Sequence, residues 1–198
     1  MSTNDANVAQ ATSAADSKTP LLFTPIKLRS VVVRNRIMAA PMCQYVSHDG
    51  GPTEWQLVNF GRFAMGGAGI VFGEETAVEA PGRKTHHCAG LYNDAHVTQY
   101  RRINDFLRAH GAVPAIQLGH GGRKGSGRPP WEGYRALTDA DATNGEAPWQ
   151  TVSSSPVPVG EGAPVPHELS VAEIRQCVAA WREATVRSAD AEIGRAHV

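Results

Sequence analysis

Cysteine is scarce in this chain: three residues, Cys43, Cys88 and Cys177, none in a Cys-x-x-Cys pair, among 198. An odd number without that spacing excludes a disulfide framework and a thiolate zinc site, and points to a reducing cytoplasm. Charge of one sign is lacking too. Nineteen Lys and Arg balance nineteen Asp and Glu, so no strong field is available to collect nucleic acid or an anionic membrane. No run approaches the roughly 18 apolar residues of a membrane span. The first twenty residues have neither a basic n-region nor an apolar core, which excludes a secretory signal and predicts a disordered tail over residues 1–20. No Gly-x-Gly-x-x-Gly follows the first apolar run, which removes the main support for a dinucleotide-binding doubly wound fold.

What is present reads as three strand-helix units behind a hairpin. Ile26–Leu28 and Val31–Val33 flank Arg29-Ser30 and suit a small hairpin leading to a buried strand over Ile37–Met42. Glu54–Met65 places Trp55, Val58, Phe60, Phe63 and Ala64 at roughly helical spacing, with Thr53 as N-cap and Gly66-Gly67 as stop. A second apolar run covers Gly69–Val78 and ends at the Pro81-Gly82 turn. Asn93 or Asp94 caps a helix through Val97, Tyr100, Ile103, Phe106 and Leu107, closed by Gly111. A third strand runs from Val113 to about Leu118. Ser170 and Glu173 form a capping box for a helix through Ile174, Val178, Trp181 and Val186. Continuous apolar strands alternating with helices argue for parallel strands covered by helices, which both a doubly wound sheet and a TIM barrel satisfy. Residues 119–168 are too long for an ordinary connection, a length typical of functional or disordered loops.

The polar residues at strand ends are Cys43-Gln44-Tyr45, Glu74 to Thr76, and Gln117 to Lys124, where both folds place ligands. His86-His87-Cys88 does not predict a metal site, because adjacent residues on an extended segment face opposite sides. Trp131, Tyr134 and Trp149 either line an entrance or a subunit contact, or anchor the long loop.

Three segments carry a resemblance. Asn35-Arg36-Ile37 with Ala40-Pro41-Met42-Cys43-Gln44-Tyr45, then Gly66 to Ile70 through Glu75-Thr76-Ala77-Val78 with Gly82-Arg83, then Ile116-Gln117-Leu118-Gly119-His120-Gly121-Gly122-Arg123-Lys124, resemble in order the first three strands of bacterial, cysteine-containing Old Yellow Enzymes. The resemblance covers about Leu21 to Ala191 and implies a TIM (β/α)8 barrel, present here as the hairpin and first three βα units. It implies FMN as cofactor and NADPH or NADH as reductant. The flavin would pass hydride to the activated C=C bond of an α,β-unsaturated carbonyl, a small-molecule substrate, in a protein that forms homo-oligomers. Pro41, Met42 and Cys43 would lie beside the flavin, Gln117 would bond its pyrimidine edge, Tyr45 would enter the substrate pocket, and Lys124 would lie near the cofactor. Glu75 departs from the small residue the family commonly has there, and either it or Glu74 is expected to be solvated. The family's catalytic His pair lies beyond the third helix. The terminal Glu192–Val198 instead matches, codon for codon, a translated sequencing-library adapter. Native coding sequence is therefore expected to end near Ala191, His197 is not the catalytic histidine, strands one and three are open edges, and the 198-residue fragment is inactive. A dienoyl-CoA-reductase-like barrel and a non-catalytic fragment are the alternatives.

Overall fold

A computed structural model describes residues 19–197; the expectation for residues 1–18 lies outside them. The hairpin pairs β1 (Ile26–Leu28) with β2 (Val31–Val33) in antiparallel register, Ile26 opposite Val33. Arg29 makes the turn at a φ of 54°. Four parallel strands follow in the order β3 (Met38–Ala39), β4 (Ile70–Ala77), β5 (Val113–Gly119) and β8 (Arg195–His197). Helices α1 (Glu54–Met65), α2 (Asp94–Ala109) and α3 (Val171–Asp190) lie between them in sequence.

Each helix begins at a cap expected from local sequence. Thr53 and Gln56 form a reciprocal capping box, Asn93 accepts from the Ala95 amide, and Ser170 and Glu173 form a second box. Such caps satisfy amides that have no partner within the helix. Two apolar clusters cement the helices to the outer face of the sheet. Phe60, Ala64, Val71, Ile103 and Leu107 form one, and Val78, Leu91, Tyr100, Ile116, Leu118 and Ala184 the other. On the opposite face the hairpin packs beneath the strands, with Val33 against Ile70 and Ala115. This plugs the N-terminal end of the sheet and leaves its C-terminal end for the residues of interest.

Three expectations need correction. The first barrel strand is shorter than Ile37–Met42, since only Met38 and Ala39 pair with β4. Pro41 has no amide proton to extend the ladder. The third strand is not an open edge: Ala115–Gln117 pair in parallel with Arg195–His197, inside the segment expected to be foreign. In α1, Trp55 and Val58 are exposed, whereas polar Gln56 and Asn59 are buried beside Phe60 and Ala64. The apolar residues of this helix span more of its circumference than one neighbour covers, and the interior phase is set by a buried polar network. In α3, Val171, Ile174 and Val178 likewise form an exposed apolar row.

The long connection is ordered by short 3-10 turns, a two-stranded parallel ladder of β6 (Val152–Ser153) with β7 (His167–Glu168), and ion pairs. Arg135 grips Asp141 through two bonds of 2.8 and 2.9 Å. Arg128 binds both Glu132 and Glu146. No described helix is long and apolar enough to cross a membrane.

Candidate active site

A β-bulge in β4 organises the C-terminal end of the sheet. Gly73 lies opposite Ile116 and Glu75 opposite Gln117, which leaves Glu74 as the extra residue. An inserted residue re-aims the side chains around it, and the two adjacent carboxylates go to different places. Glu74 is buried and Glu75 is half-buried and ion-paired, so neither is simply solvated.

Glu74 is 1% exposed. One carboxylate oxygen accepts from the Gln44 amide at 2.8 Å and the other from Gln56 Nε2 at 3.2 Å. The Tyr45 amide also donates to this carboxylate. Gln56 bonds Ser47 Oγ at 2.9 Å through the same amide nitrogen, while its Oε1 accepts from the Thr53 amide at 2.7 Å. A continuous network therefore runs from the cap of α1 through Gln56 to Glu74 and into the segment 43–47. That segment needs a hold, because Tyr45 stands at a φ of 55°, a left-handed conformation that costs a non-glycine residue of order 1 kcal/mol or more. Burial raises the Glu74 carboxyl above its ordinary value, and the donated hydrogen bonds only partly offset it.

Glu75 turns to the other side, where its Oε2 meets Lys84 Nζ at 2.7 Å. The same ammonium lies 3.7 Å from Cys43 Sγ. Burial pushes the Cys43 thiol up and Lys84 pulls it part of the way back. For Lys84, burial opposes the charge, but the hydrogen bond to Glu75 and nearby negative groups outweigh it, so the ammonium is held above its usual range. The carboxylate that departs from the family pattern is thus matched by a cation nine residues on.

Tyr45, Lys84, Lys124, Arg128, Tyr134 and Val159 line a cavity of about 380 Å³. The Tyr45 ring meets Trp131 edge-on at 5.5 Å, and burial pushes its phenol up, so it stays protonated. Trp131 and Tyr134 stand at the cavity rim, while Trp149 anchors the loop by donating to Pro81 O at 3.2 Å.

Of the residues singled out from sequence, Tyr45 and Lys124 are brought to this one cavity, while Cys43 does not line it and lies behind its wall, in contact with Lys84. Gln117 is half-buried and sits opposite Glu75 in the ladder, at the same end of the sheet. Pro41 is half-buried and Met42 is 51% exposed just before Cys43. Lys84 and the Glu74–Gln56 network went unread; the one available signal was Glu75 itself, a carboxylate at a strand end that needs a cation to be half-buried.

His86 bonds Ala147 O and His87 bonds Glu146, so these two histidines tie the long loop down. Among the described residues, Glu79, His120 and Cys177 bring ligand atoms within 4.8 Å of one another. His120 Nδ1 accepts from the Gly122 amide at 2.9 Å. Its proton is therefore on Nε2, which donates to Glu79 at 2.8 Å, leaving no lone pair on that nitrogen for a metal.

Residues 21–195 match the model of the NADH:flavin oxidoreductase / NADH oxidase family. A curated NADPH dehydrogenase of Bacillus cytotoxicus is 33% identical over 172 residues, which are 86% of this chain and 44% of that protein. An NADH:flavin oxidoreductase of Gibberella zeae is 35% identical over 156 residues, 78% of this chain and 37% of the relative. The chain thus spans about half the length of the curated relatives it matches. Among solved structures, morphinone reductase superposes with a TM-score of 0.72 at 25% identity, over 91% of this chain and 48% of that one. Old Yellow Enzyme from Pichia sp. AKU4542 superposes with a TM-score of 0.74 at 17% identity, over 89% and 45%. The fold is accordingly part of the Old Yellow Enzyme barrel, as the three motifs imply. By its sequence match over residues 21–195, the chain belongs to the NADH:flavin oxidoreductase / NADH oxidase family.

Proposed function

We propose that the protein carrying this half-barrel holds FMN at the C-terminal end of β3 to β5 and uses NADPH or NADH to reduce the activated C=C bond of small α,β-unsaturated carbonyl compounds. The observation that carries the reading is the meeting of Tyr45 and Lys124 in one cavity at the strand ends, with Cys43 3.7 Å from Lys84 in that cavity's wall and Gln117 paired with Glu75 at the same end of the sheet. The donor set suits a flavin. Gln117 offers an amide donor and an acceptor for a pyrimidine edge, and Pro41 and exposed Met42 offer apolar surface for a ring. Bound FMN would supply the hydride chemistry, accepting it from the nicotinamide and passing it to the alkene. The chain's own residues would hold and orient. Tyr45, kept as a phenol, presents a hydrogen-bond donor in the cavity, and Cys43 remains a thiol at neutral pH.

Catalytic action of Cys43 and Tyr45, cofactor contacts by Pro41, Met42, Cys43, Gln117 and Lys124, a cytoplasmic location and a homo-oligomeric assembly belong to this proposal. So does the origin of Glu192–Val198 in a library adapter, which long-read sequencing of the source DNA across codon 191 tests. The activity test is oxidation of NADPH by 2-cyclohexenone with the protein that includes the remaining strands. A yellow protein that consumes NADPH only when the enone is present supports the reading. A colourless protein that cannot be reconstituted with FMN removes it.

A further inference from the structure

The group of Cys43, Lys84 and Glu75 has chemistry that neither flavin binding nor alkene reduction requires. An amine nitrogen lies 3.7 Å from a thiol sulfur, and a carboxylate oxygen lies 2.7 Å from that nitrogen. All three side chains are only partly buried and stand at the mouth of the sheet, Lys84 in the cavity wall. Cys88 is different: it is 3% exposed and its sulfur accepts from the Thr85 amide. We propose that Cys43 and Lys84 form an oxidative cross-linking site, at which hydrogen peroxide couples Sγ of Cys43 to Nζ of Lys84 with Glu75 as proton acceptor.

The chemistry balances in two steps. The thiol first gives its proton to solvent, and peroxide reacts with this minor thiolate fraction: one oxygen passes to sulfur, the O–O bond breaks, sulfur is oxidised by two electrons to the sulfenic acid, and the released hydroxide takes up a proton and leaves as water. Sulfenic acids condense with nearby nitrogen nucleophiles. Lys84 Nζ, after passing a proton to Glu75 Oε2, attacks Sγ; the S–N bond forms, the S–O bond breaks, and the oxygen leaves as water with a second ammonium proton. One N–H stays in the bridge, and Glu75, 26% exposed at its side chain, returns its proton to solvent. The flexible four-carbon stem of lysine lets Nζ close the remaining distance. The bridge would tie the segment bearing Cys43 to the loop after β4 and remove a cation from the cavity wall. Dithiol reductants would reverse it.

The experiment treats the purified 198-residue chain with a small molar excess of hydrogen peroxide, digests it without reductant, and sequences the peptides by mass spectrometry. The expected product is a joined pair containing Cys43 and Lys84, about 2 Da lighter than the sum of its parts for the two hydrogens lost, and separated by dithiothreitol. Lys84→Arg keeps the cation facing Glu75 but removes the nucleophilic amine. In that variant dimedone should capture Cys43 as its sulfenic acid at several times the wild-type yield. The proposal is overturned if wild-type Cys43 advances to sulfinic acid with Lys84 free. It is equally overturned if Cys43 joins Cys88 instead, or if the dimedone yield is the same in both proteins. Should Lys84→Arg not fold, the identity of the wild-type peptide pair decides alone.

Discussion

Replacing Glu74 with alanine tests whether the segment bearing Cys43 and Tyr45 is held from the sheet. The substitution removes the acceptor for the Gln44 and Tyr45 amides and for Gln56 Nε2. The two amides belong to half-buried residues that water can reach, but Gln56 is 1% exposed. A buried donor without a partner costs about 1–3 kcal/mol. Losing the restraint on left-handed Tyr45 adds to this, and relieving a carboxylate that burial disfavours subtracts from it. The net destabilisation is about 2 kcal/mol, with Glu74→Gln milder because an acceptor oxygen remains. With a urea slope of about 1–3 kcal/mol/M, tryptophan fluorescence should show the midpoint falling by about 1 M at unchanged slope. Cys43 should also react faster with a thiol reagent in native buffer. A Glu74→Ala midpoint equal to wild type, or Glu74→Gln costing more than Glu74→Ala, refutes the reasoning.

Other consequences are equally direct. The Glu74 carboxyl is raised in the fold from 4.5. Its contribution is therefore fully present below the ordinary carboxylate range and declines as pH rises through the folded value; the stability of wild type relative to Glu74→Gln should fall over that interval, as urea titrations at several pH values will show. Glu173 is held down to about 2, chiefly by its hydrogen bonds with Ser170 and then by His167. Its contribution is present above 4.5 and lost as pH falls toward 2, so the stability advantage of wild type over Glu173→Gln, followed by circular dichroism in urea, should be full above 4.5 and shrink as pH falls toward 2. Leu91, fully buried in the cluster with Ile116 and Ala184, should cost about 2–5 kcal/mol as alanine in the same denaturation assay. A Cβ at Gly69 would stand 2.7 Å from the Asn35 carbonyl oxygen; Gly69→Ala should cost about 1–3 kcal/mol by overpacking against backbone.

Local features were legible before any coordinates. The Thr53 and Ser170 caps need only residues three apart and the Asn93 cap only residues two apart, and the three helices begin where those caps place them. The strand-helix order and the strand-end placement of Cys43, Tyr45 and Gln117 were likewise readable. What escaped depends on register and on partners distant in sequence. The bulge that separates Glu74 from Glu75 exists only relative to β5. Lys84 is nine residues from Glu75 and 41 from Cys43, with no periodicity to announce it. The buried phase of α1 was misread because its determinant, Gln56, is polar and is buried for the sake of Glu74. The β8 ladder was missed because Glu192–Val198 was set aside as foreign, whereas backbone pairing takes little notice of where a segment comes from.

The central claim is that Cys43 and Gln117 border a flavin. It is tested most directly by reconstituting the protein that includes the remaining strands with FMN and recording its visible spectrum, beside Cys43→Ser and Gln117→Leu. The account predicts a flavin that stays bound through gel filtration, with absorption bands that shift in Cys43→Ser and weaker retention in Gln117→Leu. Loss of FMN from the unmodified protein, or a spectrum and retention indifferent to both substitutions, would contradict it.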